Sequence, residues 1–211
     1  MLKLENISKT FMSQSQKKLV LDKINLTLEQ GELVSIYGSA GCGKSTLLNI
    51  IYGLHKPDTG MVLFMDANLE TMNSSRLSEY KRKDVNYIMQ GYSLLNNLTV
   101  KQNMILLQGS NPDQNNRIEA CMEDLGLGAF LDLYPIELSG GQAKMVAIAR
   151  GIANPSKIIV ADEPTAHLDQ KSARRIIDLL RKEAQNGRSI LVSSHDQMVL
   201  DKSDRNYLLE K

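Results

Sequence analysis

The stretch Gly38-Ser39-Ala40-Gly41-Cys42-Gly43-Lys44-Ser45-Thr46 fits the pattern G-x-x-x-x-G-K-[ST] with every position filled. Glycines without a Cβ let the backbone wrap closely around a bulky anion. The N–H groups of such a loop, and of a helix that follows it, turn positive dipoles towards phosphate. In that setting Lys44 reaches the β- and γ-phosphates of a nucleoside triphosphate, and the Ser45 hydroxyl holds Mg²⁺. Further along, the apolar run Ile158-Ile159-Val160-Ala161 ends in Asp162 and Glu163. Phosphoryl transfer needs a carboxylate near the metal and a group that orients or deprotonates water. Asp162 suits the first task and Glu163 the second. Without a phosphate loop in the chain, the plainer reading of such acids is a helix N-cap.

A second glycine-rich turn, Leu138-Ser139-Gly140-Gly141-Gln142, precedes a segment holding Val146, Ala147 and Ala149 at helical spacing. Taken alone, Ser139 is a good N-cap. A helix N-terminus with two glycines is also an anion site. The chain thus carries two places suited to phosphate.

These residues need elements to position them. Residues 1–37 read as β-rich, with Ile24 to Leu28 alternating as a half-buried strand does and Met12 to Lys18 polar enough for a loop. Leu33 to Tyr37 is a strand running into the phosphate loop, Lys44 to Leu54 a helix, Met61 to Met65 a strand and Ser74 to Lys83 a charged helix. Val85 to Met89 is a strand ending at Gln90. Between residues 91 and 154 the pattern turns helical, at Val100 to Gln108 and Arg117 to Leu125, with Ser110 to Asn116 a polar loop. From Lys157 strand and helix alternate again, and residues 170–186 form a helix with Asp169 as N-cap. The phosphate loop, Gln90, Asp162 with Glu163, and His195 each follow the carboxyl end of an apolar run. In open α/β sheets that edge is where ligands bind. If the strands are parallel neighbours, these groups share one crevice.

Composition narrows the alternatives. The 211 residues carry a net charge of +1, which argues against a strongly electrostatic nucleic-acid binder. Cys42 and Cys121 make no metal motif and read as free thiols. His55 and His167 show no metal spacing either. The first residues lack the apolar stretch of a signal peptide. No segment approaches the roughly 18 consecutive apolar residues of a membrane span. If the protein serves a membrane, the expectation is that it does so through another chain.

The phosphate loop, the Ser139 turn and the Asp162-Glu163 pair, in that order, resemble the nucleotide-binding subunit of ATP-binding-cassette (ABC) transporters over nearly the whole chain. The resemblance implies an α/β fold: a P-loop NTPase core with a mainly parallel sheet, an N-terminal antiparallel β sub-lobe and an inserted helical sub-lobe, residues 1–211 forming one domain. It implies ATP and Mg²⁺ as ligands, with Lys44, Glu163 and His195 catalytic and Ser45, Gln90 and Asp162 at the metal. Gln90 is similar to the Q-loop glutamine that faces the membrane partner. His195 is similar to the switch histidine at the γ-phosphate, and Phe11 to the aromatic stacked on adenine. Residues Ser139 to Gln142 of one subunit would close on the ATP held by another, two ATPs being sandwiched head to tail, with Asp169 crossing the interface. A second nucleotide-binding subunit, an identical copy in preference to a different chain, and a separate permease are the partners implied, with no nucleic acid, and the place is cytoplasmic, on the inner face of the membrane.

The sequence departs from the family at Ala143, Lys144 and Met145, where a polar pair and an arginine are usual, which should alter packing near the signature turn. Ser194 replaces a commoner threonine, and Gln102 stands where many relatives have glutamate. Ser45 to Leu54 and Leu94 to Val100 are similar to the branch of the lipoprotein-release, macrolide-efflux and antimicrobial-peptide-resistance ATPases, to which the FtsE cell-division ATPase is close. A transport motor, of exporter or force-transmitting type, is the leading expectation. A cell-division or signalling clamp stays open, and a repair or translation ATPase fits 211 residues poorly.

Overall fold

The computed structural model describes residues 1–13, 16–91, 94–106 and 112–210. Two sheets organise them. Strands β1 (Leu2–Ser13), β2 (Gln16–Leu28), β4 (Thr59–Phe64) and β5 (Ala67–Asn68) form an antiparallel sheet in the order β2-β1-β4-β5. Strands β3 (Leu33–Tyr37), β6 (Val85–Ile88), β7 (Ile158–Asp162), β8 (Ser189–Ser193) and β9 (Arg205–Leu208) form a parallel sheet in the order β6-β7-β8-β3-β9.

Strands β3, β7 and β8 are largely apolar because both of their faces are covered, whereas the edge strand β9 is mostly exposed. Along β7, Ile159 and Ala161 enter one core cluster, while Ile158 and Val160 enter the other. This is the two-residue period of a strand acting as a wall between two cores. Helix α1 (Lys44–Ile51) buries Leu47, Leu48, Ile50 and Ile51 against the face shared with the antiparallel sheet. Helices α3 (Val100–Ile105), α4 (Pro112–Asp124), α5 (Gly140–Ala153) and α6 (Gln170–Gln185) pack on the opposite face. Helix α2 (Ser74–Glu79) continues into a π-helical turn, Tyr80–Asp84, and α7 (Gln197–Lys202) precedes β9.

Two sequence expectations need correction. Most of the expected loop Met12 to Lys18 is strand: β1 and β2 pair through Phe11↔Lys18, Met12↔Lys17 and Ser13↔Gln16, while Gln14 and Ser15 lie outside the described residues. Residues 16–19 are exposed, so nothing there imposes the alternation that marks a half-buried strand. Likewise Pro112 to Asn116 belong to α4. A proline opening a helix loses nothing, since the first N–H groups are unpaired in any case, and Asp113 favours the positive helix end. The end of the expected helix at Leu107 and Gln108, and the loop residues Ser110 and Asn111, lie outside the described residues. Helix α1 stops at Ile51, with Gly53 in the left-handed region.

Candidate functional site

Strand β3 sits inside the parallel sheet and delivers the chain into residues 38–43, which open α1. Gly43 is the α1 N-cap at φ 109, and a Cβ there would lie 2.8 Å from Leu21 Cδ2 and 3.0 Å from the Val20 carbonyl. The antiparallel sheet therefore presses on the loop, and only glycine fits. Helices α2, α3, α5, α6 and α7 each cap an N-terminal amide with a side-chain oxygen, from Asn73, Thr99, Ser139, Asp169 and Asp196. Helix α1 has no such cap and no acid in its first turn. No side chain among the described residues caps its first amides, which leaves them open to an external anion. Ser45 in that turn is exposed.

Lys44 is buried, and its Nζ donates to Gly38 O at 3.0 Å and lies 2.8 Å from His195 Nε2. An ammonium has no lone pair to offer, so Nε2 accepts and the imidazole proton is on Nδ1. Glu163 Oε1 stands 3.4 Å from the same nitrogen. With Nε2 already accepting, that approach is proximity of a carboxylate to the Lys44–His195 pair and not a hydrogen bond.

The acids are set by the β7–β8 register, which pairs Asp162 with Ser193. The Ser193 hydroxyl donates to Asp162 Oδ1 and accepts from Glu163 N at 3.1 Å, while Ser193 O accepts from Glu163 N at 3.0 Å. Burial, and after it the Asp162 charge and hydrogen bond, push the Tyr87 phenol above its usual range, so it stays protonated beside the carboxylate. Asp162 is thus buried but held by two hydroxyl groups. Glu163 adopts φ 48, uncommon for a residue with a side chain. Ser194 N donates to Ile36 O at 3.0 Å, which pins the loop bearing His195 to the strand that feeds the phosphate loop.

One cleft is lined by Gln90, Glu163, Thr165, Ala166, His195 and Asp196. Through His195 it meets Lys44. The parallel sheet thus brings together four expected groups: the phosphate loop, Gln90, the acid pair and His195. The Ser139 turn does not line this cleft; Ser139 and Gln142 form a reciprocal capping box, and the Asp169 carboxylate caps α6 through Ser172. Phe11 is on β1, its ring 5.7 Å from that of His55 and 5.7 Å from Lys9 Nζ. Ser193 and Tyr87 are the residues that sequence reasoning did not single out. The cue was available: Ser193 ends the β8 run as Asp162 ends that of β7.

Among the described residues no group of three or more histidine, cysteine or acidic side chains could hold a metal alone. No described helix is long and apolar enough to cross a membrane.

An uncapped glycine-rich helix start, facing a carboxylate and an imidazole at the carboxyl edge of a parallel sheet, defines a P-loop nucleotide-binding fold. The profile of the family described as ABC transporter matches residues 21–166. The chain is 36% identical over 209 residues to a macrolide export ATP-binding/permease protein MacB of Yersinia pestis, a match covering 97% of this chain and 31% of that protein. It is 38% identical to an uncharacterised ABC transporter ATP-binding protein of Methanocaldococcus jannaschii, covering 93% and 90% of the two chains. Its structure is similar to the dimeric ABC transporter cassette MJ0796, with a TM-score of 0.90, 34% identity and coverage of 99% and 94%. It is also similar to the dimeric post-hydrolysis state of that cassette bound to ADP and Pi, with a TM-score of 0.89. The protein belongs to the ABC transporter family and is an ATP-binding cassette ATPase. It spans about a third of the length of the MacB relatives it matches.

Proposed function

We propose that residues 1–211 form one nucleotide-binding unit that drives a membrane transporter of the exporter or force-transmitting kind. The convergence of the uncapped α1 start, Lys44, Glu163 and His195 on one edge of the parallel sheet carries this reading. Residues 38–46 hold the phosphates of ATP, with the Lys44 ammonium and His195 on the terminal one. Ser45, Gln90 and Asp162 hold Mg²⁺, whose charge offsets that of the phosphates. A magnesium ion needs few protein ligands when phosphate oxygens supply others, which suits the lack of any three-residue metal cluster among the described residues. Glu163 takes a proton from the attacking water. The Phe11 ring stacks on the adenine.

The Ser139–Gln142 turn caps its own helix and stands outside the cleft that holds Glu163 and His195, and the MJ0796 structures are dimers. We therefore assign Ser139, Gly140, Gly141 and Gln142, with Asp169 near the interface, to the nucleotide bound by a second cassette, preferably an identical copy. The MacB relatives are named as ATP-binding/permease proteins. A permease, joined or separate, is accordingly the membrane partner, which puts the cassette at the cytoplasmic face. Steady-state ATP hydrolysis tests the chemistry: Glu163→Gln should keep nucleotide binding and lose on the order of 10²–10⁴ in turnover. A fully active variant would remove Glu163 from the role of base.

A further inference from the structure

The signature helix departs from its family at Ala143, Lys144 and Met145, and the structure gives Lys144 a partner. Lys144 lies one turn into α5, is only 9% exposed, and donates from Nζ to the backbone carbonyl of Ala166. That carbonyl is part of the segment that follows Glu163. Ala166 N bonds back to Glu163 O at 3.2 Å and Leu168 N to Thr165 O at 3.2 Å, so residues 163–168 form two successive turns. Glu163 and His167 in this segment have φ values of 48 and 61. Two side-chain-bearing residues in the left-handed region are held there only by their surroundings. The first turn of α5 also runs near the end of that segment: a Cβ placed on Gly141 would lie 4.0 Å from Leu168 Cδ2. The signature helix and the segment after Glu163 are therefore neighbours joined by the Lys144 hydrogen bond.

Burial lowers the basicity of Lys144, and the Glu163 carboxylate opposes that shift. The ammonium is thus within electrostatic reach of the group assigned as base. It also lines a groove with Gln90, Arg150 and Pro164, between the end of β6 and α5. Lysine is a costly residue to bury, and a carbonyl with a nearby carboxylate is the compensation seen here.

We propose that Lys144 is a positioning residue that couples the two nucleotide sites of the assembled pair. It ties the helix that grips the partner's nucleotide to the turn that sets the chain's own Glu163. Capture of the partner's ATP by the Ser139 turn then steadies residues 163–168 and with them the base. This rests on the paired-cassette reading above.

The test compares wild type, Lys144→Met and Lys144→Arg by ATP hydrolysis against ATP concentration, beside binding of a fluorescent ATP analogue to the dilute monomer. Lys144→Met should bind the analogue within twofold of wild type, lose about tenfold in kcat and lose its sigmoidal dependence on ATP. Lys144→Arg, which keeps the charge and the donor, should recover at least half of both. A Lys144→Met enzyme with wild-type kcat and cooperativity overturns the proposal. So does equal failure of both variants together with loss of analogue binding, which marks a purely structural lysine. If neither variant folds, hydrogen exchange on the Glu163→Gln protein decides: amides 165–168 should gain protection on ATP-driven pairing, and unchanged exchange overturns the coupling. Wild type that hydrolyses ATP without cooperativity or pairing would instead sink the paired-cassette reading itself.

Discussion

Replacing Gly43 by alanine tests whether the phosphate loop is shaped by the sheet pressed against it. At φ 109 an alanine pays backbone strain of about 1–2 kcal/mol. Its Cβ would also sit 2.8 Å from Leu21 Cδ2, 3.0 Å from Val20 Cγ1 and 3.0 Å from the Val20 carbonyl. The side chains can turn aside, but the carbonyl belongs to β2 and can only shift with the strand. Overpacking of this kind costs about 1–3 kcal/mol. Gly41 supplies the control: its φ is 73, so it bears similar strain, yet nothing lies within 4 Å of its Cβ position. In both variants the stiffer unfolded chain returns about 0.4–1 kcal/mol. Gly41→Ala should therefore cost about 0–1.6 kcal/mol. Gly43→Ala should cost about 1–3 kcal/mol more than that. For a chain of this size the difference is a melting point lower by about 2–12 °C. Urea unfolding of the three proteins without nucleotide measures it directly. Equal stability of the two variants, or Gly41→Ala the weaker, would refute the packing argument.

Two further outcomes follow from the same contacts. Lys44→Ala should weaken ATP binding by about 1.5–3 kcal/mol through lost charge-assisted hydrogen bonds, read by titration; unchanged affinity would count against its place at the phosphates. Asp204 is held below the usual carboxylate range chiefly by the Arg181 hydrogen bond, against the opposing effect of burial and with lesser help from Leu33 N. A lowered folded-state pKa gives stability that is present above the unfolded value of about 3.9 and is lost as pH falls through the folded one. Wild type should thus exceed Asp204→Asn in stability at pH 6, by under about 1 kcal/mol for so exposed a pair. The gap should narrow as pH falls below about 4, and a gap independent of pH would be the contrary result.

The sequence made the site more legible than the sheet that frames it. The strands leading to Tyr37, Asp162 and Ser193 could be read because both of their faces are buried, which forces apolar runs, whereas half-buried β6 ends at Ile88, one residue before the expected Met89. The β1–β2 pairing could not be read at Met12 or at residues 16–18, because exposed strand residues carry no imposed pattern. Pro112 looked like a loop residue because its neighbours are polar, although a helix start tolerates it well. The Lys144–Ala166 link was beyond sequence reasoning for a different cause. The acceptor is a backbone carbonyl, and a carbonyl leaves no mark on residue type. Ser193 lies between these cases: its type was visible, but its task depends on the register that sets it beside Asp162.

Light scattering on the Glu163→Gln protein tests the central claim most directly, since blocked hydrolysis should trap ATP between two cassettes. With ATP and Mg²⁺ the mass should double, and without nucleotide it should not. Adding Ser139→Arg to the same protein should keep it monomeric while the monomer still binds ATP. A Glu163→Gln protein that binds ATP yet stays monomeric at high concentration would contradict the account.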